Sequence, residues 1–303
     1  MQHATTPRVF KSLTDLHRVF GLASPLHPLV SCVDLSQVSI REGALGDTFV
    51  LGFYKVAYKM GAHGQARYGQ QYYDFGEGGL VCTAPNQTFE SPVGVKARGV
   101  MLLFHPDLLL SYPLARKIRD FGFFDYAARE ALHVSEREKE VLLMVFRSIE
   151  WELNGHIDDS TQDVVVSQIE LLLNYSQRYY RRQFITRKAI NHDLLQRMEK
   201  LLLDYFDQEE AGVRGLPTVQ YLADQLHLSP SYLSDMLRSL TGRSAQQHIH
   251  DKLIERAKER LTTTDRSVSE IAYDLGFGYA QSFSRLFKTK TRQSPLEFRR
   301  SFQ

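Results

Sequence analysis

The sequence predicts an α+β chain, β-rich in its first third and helical afterwards. Two observations carry this. Residues 28–106 run as short Tyr-, Phe- and Val-rich stretches (LVSCVDL, TFVLGFYKVAY, ARYGQQYYDF, GLVCTAPNQTF, VKARGVMLLF) separated by Gly and Pro, the pattern of a compact all-β sandwich or barrel. Beyond residue 107, apolar positions recur with a 3.6-residue period between capping signals, the pattern of amphipathic helices. At 303 residues, 43% hydrophobic and 24% charged, the chain has the composition of about two globular domains.

Residues 8–21 read as a short amphipathic helix through Val9, Phe10, Leu13, Leu16, Val19 and Phe20. The β unit follows, then one or two short helices over 107–120. Ser135 with Glu138 forms a capping box that opens a helix through Leu153. A second long helix over 161–182 buries Val164, Val165, Ile169, Leu172 and Leu173. The apolar stripes of this hairpin can close over the β unit or pair with a second copy, and pairing is the favoured use. The polar, basic segment 183–191 reads as an interdomain linker. From Asp193 onward the chain is helical.

Composition excludes several classes. Two cysteines, Cys32 and Cys82, are too few for a disulfide scaffold or a four-thiolate zinc site. No run of about 18 apolar residues marks a membrane span, and the N-terminus lacks a secretory h-region, so the expected location is cytoplasmic. The β region offers His63 with Glu77 or Glu90 but no His-x-His pair, so no metal site and no cofactor is expected. No phosphate loop or nucleophile elbow appears.

Net charge is only +2, but it is unevenly placed. Residues 187–303 hold 18 Lys/Arg against 15 Asp/Glu, and residues 281–303 hold six basic residues against Glu297 alone. That cluster is a local electrostatic footprint. Two segments there share a layout, 218–242 and 267–291. Each has a short helix with an apolar residue followed by Ala (Leu222–Ala223, Ile271–Ala272), a tight turn, and a second helix with apolar spacing (Leu233, Met236, Leu237; Phe283, Leu286, Phe287). This is a helix-turn-helix pattern, whose second helix enters a DNA major groove. A helix over 244–262, about 28 Å long at 1.5 Å per residue, joins the two.

Residues 218–303 resemble the DNA-binding domain of the AraC/XylS family of bacterial transcription regulators. The resemblance rests on Leu222–Ala223, Ser229, Leu233, Gly242, Ala257, Leu261, Ile271–Ala272, Gly276–Phe277, Phe283–Ser284–Arg285, Phe287–Lys288, Ser294–Pro295 and Phe298–Arg299. Arg292 stands where the family usually has Gly, Leu237 where it has Phe, and Lys252 where it has Arg. The resemblance implies three parts: a cupin-like β-barrel that binds a small effector over 1–130, a dimerising helical hairpin over 131–186, and a double helix-turn-helix domain over 187–303. It implies a DNA-binding transcription factor and not an enzyme. The implied partners are double-stranded DNA, a small-molecule effector, a second copy in a homodimer, and RNA polymerase. Two alternatives stay open: a regulator without small-molecule ligand, switched by a partner protein, and a barrel enzyme with a helical localisation domain.

Within that reading, Gln281 and Arg285 are the candidates for base readout, since Gln can bond adenine and Arg guanine bidentately. Ser282 shares their face, and Lys288, Lys290 and Arg292 are candidates for phosphate contact. The first head offers only Ser231, Ser234 and Arg238, with Asp235 repulsive towards phosphates unless Arg238 pairs with it. Tyr54, Tyr58, Tyr68, Tyr72 and Arg98 are the candidate effector contacts. The Tyr54/Val56/Tyr58 face of its strand is expected to point into the barrel, being the more apolar.

Overall fold

The computed structural model describes residues 7–39, 48–60, 62–68, 71–75, 78–90, 98–127, 130–156, 158–207 and 210–302. The chain is mixed α and β with a helical C-terminal region, and divides into two compact units, Met1–Gln183 and Phe184–Gln303.

In the first unit, β1 (Arg8–Phe10) precedes α1 (Leu13–Val19), which Ser12 caps by accepting from the Asp15 amide. The expected helix over 8–21 is thus shortened, because Arg8–Phe10 pair in parallel with β3 (Thr48–Leu51). β2 (Val30–Asp34), β4 (Tyr54–Met60), β5 (Ala62–Tyr68), β6 (Gln71–Phe75), β7 (Gly79–Thr83), β8 (Thr88–Glu90) and β9 (Arg98–Phe104) complete the strands. Among the described residues they form three separate sheets, β1-β3-β8, β2-β9-β4-β7 and β5-β6, and no closed barrel.

One core is shared by two sheets and α1. Phe10, Leu13, Leu16, Phe20, Phe49 and Leu51 pack with Val33, Phe53, Ala57, Met101 and Leu103. Register fixes which face of β4 this is: Lys55 lies opposite Leu103 and Ala57 opposite Met101. The face of β4 turned to the second sheet is therefore Phe53/Lys55/Ala57/Lys59, correcting the expectation that Tyr54, Val56 and Tyr58 point there. Those three side chains face away from it, towards a second apolar layer. Tyr54 stacks on Phe104 at 5.1 Å and meets Phe124 edge-on at 4.9 Å. Both faces are apolar because both are covered, so alternation along β4 could not tell inside from outside.

A short helix α2 (Leu114–Lys117) precedes α3 (Glu136–Asn154) and α4 (Thr161–Thr186). The capping box of α3 forms as its sequence requires: Ser135 Oγ accepts from the Glu138 amide, and the Glu138 carboxylate accepts from the Ser135 amide. Leu142, Val145, Phe146, Ile149 and Leu153 of α3, and Val165, Val166, Ile169, Leu172 and Leu173 of α4, are buried within their own unit. The main stripes thus serve this unit's core; Val164, expected inside, is 38% exposed. Arg182 clamps the hairpin by donating to both carboxylate oxygens of Glu138 and to the His133 carbonyl.

The second unit holds α5 (Lys188–Asp207), α6 (Glu210–Arg214), α7 (Val219–Leu226), α8 (Pro230–Thr241), α9 (Ala245–Thr263), α10 (Val268–Asp274), α11 (Ala280–Thr291) and α12 (Pro295–Arg300). The linker expected over 183–191 is helical on both sides of Arg187, with Phe184 and Asn191 buried and the Asn191 side-chain Nδ2 donating to the Phe184 carbonyl at 2.6 Å. Residues 218–244 and 267–294 repeat one construction down to single hydrogen bonds. The Leu228 amide donates to Ala223 and the Phe277 amide to Ala272, closing both turns with the same six-to-one bond. Thr241 and Thr291 each donate back to the preceding turn, at Leu237 and Phe287, and accept from the second following amide. Ser244 with Gln247 and Ser294 with Glu297 then form equivalent capping boxes.

Candidate nucleic-acid interface

α11 is fixed from below by Phe283 and Phe287, both fully buried, with Phe277 and Phe298 packed on them edge-on. That leaves Gln281, Ser282, Arg285 and Lys288 exposed. At about 100° per residue, Gln281, Arg285 and Lys288 lie on one narrow stripe and Ser282 on its flank. None of Gln281, Arg285 or Lys288 has an ion pair among the described residues. Asp274, which could have neutralised Arg285, is taken by Arg266 and lies 3.8 Å from Arg260. Glu270 accepts from the Ser267 amide, which holds its carboxyl below the usual range.

The remaining basic candidates of this segment have other surroundings. Lys290 is half a turn round α11 from Gln281 and donates to Asp251 of α9 at 2.9 Å. Arg243, just past the first head, reaches the other oxygen of Asp251, also at 2.9 Å. Arg292 is exposed and caps α11 in the left-handed region at φ 67°, where Gly242 caps α8 at φ 74°. A glycine is usual at such a position because a Cβ costs energy there. Arg299 donates to the Leu261 and Arg266 carbonyls and so closes the end of α9.

On α8, Tyr232, Leu233, Met236 and Leu237 are buried. Ser231 and Ser234 are half-buried and Arg238 is exposed, with Arg238 paired to Asp235 at 2.8 Å. The two heads are built alike but are chemically unequal. Sequence reasoning passed over Tyr279, which is 76% exposed at the first position before α11 and contributes no side-chain cap. Its sole signal was an aromatic where a capping Ser or Asp would fit.

A helix-turn-helix domain family matches residues 222–301. YijO of Escherichia coli K12, named an uncharacterized HTH-type transcriptional regulator, is 30% identical over 107 residues, 35% of this chain and 37% of its own. RhaS of Salmonella paratyphi A, named an HTH-type transcriptional activator, is 30% identical over 148 residues, 48% of this chain and 51% of its own. The C-terminal region is an AraC-type helix-turn-helix domain. Among solved structures, the C-terminal domain of the response regulator AraT from Geobacillus stearothermophilus is similar at 29% identity, covering 36% of this chain and 84% of that one with a TM-score of 0.32. The chain spans about a third to a half of the length of the curated relatives it matches.

Outside the AraC-type domain, three of the five candidate effector contacts have described side chains, Tyr54, Tyr58 and Arg98. Tyr54 packs on Phe104 and Phe124 as described above, Tyr58 is fully buried on the same face of β4, and Arg98 is exposed at the start of β9. The side chains of His63, Tyr68, Tyr72 and Glu90, and the whole of Glu77, lie outside the described residues. Lys55 is half-buried on the face turned to the second sheet, and burial beside Lys59 pulls its ammonium down to about 7. Burial pushes the Cys32 thiol up to about 12 and Cys82 higher still, which makes both poor nucleophiles. Among the described residues no cluster of His, Cys, Asp and Glu is gathered for a metal, and no helix is long and apolar enough to cross a membrane.

Proposed function

We propose that this chain is a cytoplasmic, sequence-specific DNA-binding transcription regulator of the AraC type, acting on double-stranded DNA as a homodimer. One observation carries the DNA reading: Gln281, Arg285 and Lys288 form an exposed stripe, without an ion pair among the described residues, on a helix whose other side is locked into an aromatic core. In a major groove, Gln281 and Arg285 read base edges while Lys288 and Arg292 meet phosphates. The first head, with Arg238 neutralised by Asp235, contributes shape readout and position more than base contacts. Selection of bound sequences from a random DNA pool tests this. Arg285→Ala is expected to cost about 1–3 kcal/mol of operator affinity and to relax preference at one base pair; unchanged affinity and preference would reject the groove assignment.

The N-terminal unit is proposed as the sensor of a small-molecule effector on a cupin-like scaffold. Support comes from Lys55 and Lys59, polar groups on the otherwise apolar face that two sheets share. Operator affinity measured across a ligand screen checks it, and a flat response rejects effector control while leaving DNA binding intact.

A further inference from the structure

The two heads differ at one point of their turns. In the first, the residue after Leu228, whose amide closes the turn, is Ser229, and Ser229 caps α8 by accepting from the Tyr232 amide at 3.2 Å. In the second, Gly278 is interposed after Phe277, and the cap position falls to Tyr279. Thr218, Ser244, Ser267 and Ser294 cap α7, α9, α10 and α12 as Ser229 caps α8. Tyr279 accepts no amide, and its side chain has neither a hydrogen bond nor a ring contact among the described residues. The ring is 76% exposed, beside a glycine where even an added Cβ would meet nothing within 4 Å. We propose that Tyr279 is a specificity-determining residue whose ring packs on the C5-methyl of a thymine adjoining the base that Gln281 reads.

Position and chemistry both select this partner. In a helix-turn-helix, the leading residues of the second helix meet base edges. The backbone at Tyr279 is extended, φ −141° and ψ 129°, so the residue stands off the helix proper, two residues ahead of Gln281, and falls on a neighbouring base pair. Among the groups that bases present in the major groove, the thymine methyl is the apolar one; the others donate or accept hydrogen bonds. Gln281 and Arg285 have polar ends suited to adenine and guanine and leave that methyl unread. A phosphate contact would use the Tyr279 hydroxyl and leave the ring in water, whereas packing on a methyl withdraws apolar surface of both from water.

The proposal rests on the DNA reading. DNA recovered by selection from a random pool is bound to the full chain, and each thymine is replaced singly by deoxyuridine, which lacks the methyl and is otherwise the same. At one thymine beside the base pair that Gln281→Ala relaxes, loss of the methyl should weaken the parent about fourfold, the worth of one buried methyl group. Tyr279→Ala and Tyr279→Ser should lose at least about that factor on thymine DNA and bind thymine and deoxyuridine DNA alike, while Tyr279→Phe keeps the preference. Tyr279→Ser supplies to α11 the kind of cap that Ser229 gives α8, which separates lost readout from a weakened start of the helix. Alanine and serine variants that keep the parent's ratio at every thymine overturn the proposal. So does Tyr279→Phe losing as much as Tyr279→Ala, the mark of a hydroxyl on a phosphate. A selection that depends on Arg285 but contains no methyl-sensitive thymine overturns this proposal alone, and a chain that selects no sequence overturns it together with the DNA reading.

Discussion

Replacing Gly276 by alanine tests the geometry on which the second head depends. Gly276 sits in the turn between α10 and α11 at φ 92°. A Cβ there would fall 2.6 Å from the Gly215 carbonyl carbon, 2.7 Å from the Ala211 oxygen and 2.8 Å from the Gly215 oxygen. All three are backbone atoms that no rotamer change can remove, and the Gly215 carbonyl is further held by the Tyr205 hydroxyl at 2.9 Å. The backbone conformation alone costs an L-residue about 1–2 kcal/mol, and forced overpacking adds about 1–3 kcal/mol. Gly276→Ala should therefore destabilise the second unit by about 2–5 kcal/mol. Urea unfolding followed by far-ultraviolet circular dichroism measures this. Trp151, in the first unit, supplies an emission signal whose midpoint should stay in place. A loss below about 1 kcal/mol, within the range of ordinary substitutions, would show that α6 and the turn are not in close contact.

Two further outcomes follow from charge placement. Lys288→Ala should reduce the salt dependence of DNA binding by about one unit, whereas Lys290→Ala, removing a cation already satisfied by Asp251, should change it less; equal slopes in filter-binding titrations would contradict the separation of these two lysines on α11. Lys55 sets a pH dependence. Its pKa is about 7 when folded against 10.5 as a free group, so the unfolded chain binds the extra proton between those values and stability should rise with pH across that window. Below the folded value both states are protonated and the effect vanishes. Melting of the first unit, followed by Trp151 emission, should show this rise in the parent and lose it in Lys55→Met; parallel curves would place Lys55 in water.

What the sequence made legible is what is local. The Ser135–Glu138 capping box spans four residues, and it forms as read. The connecting helix expected over 244–262 forms as α9, with Ile249, Leu253, Ile254, Ala257 and Leu261 buried on it. The double helix-turn-helix was legible for the same reason, since each turn is closed by neighbours in the chain. Distant partners were not. Arg8–Phe10 looked helical beside Leu13 and Leu16, yet Phe10 finds Leu51 in a parallel ladder. The segment 183–191 looked like a linker because its apolar residues are sparse, but Phe184 is buried against Tyr232 at 5.1 Å. Lys290 looked like its neighbour Lys288 until a carboxylate 39 positions away came beside it. The inward face of β4 was unreadable because both of its sides are covered.

That carboxylate has a mechanical consequence. Asp251 is held by a cation at the end of the first head and by one on the second reading helix, each at 2.9 Å. Its two oxygens pin the end of α8 and the back of α11 to one point on α9. The two halves are thereby tied through a single shared group, as two climbers are tied by one rope.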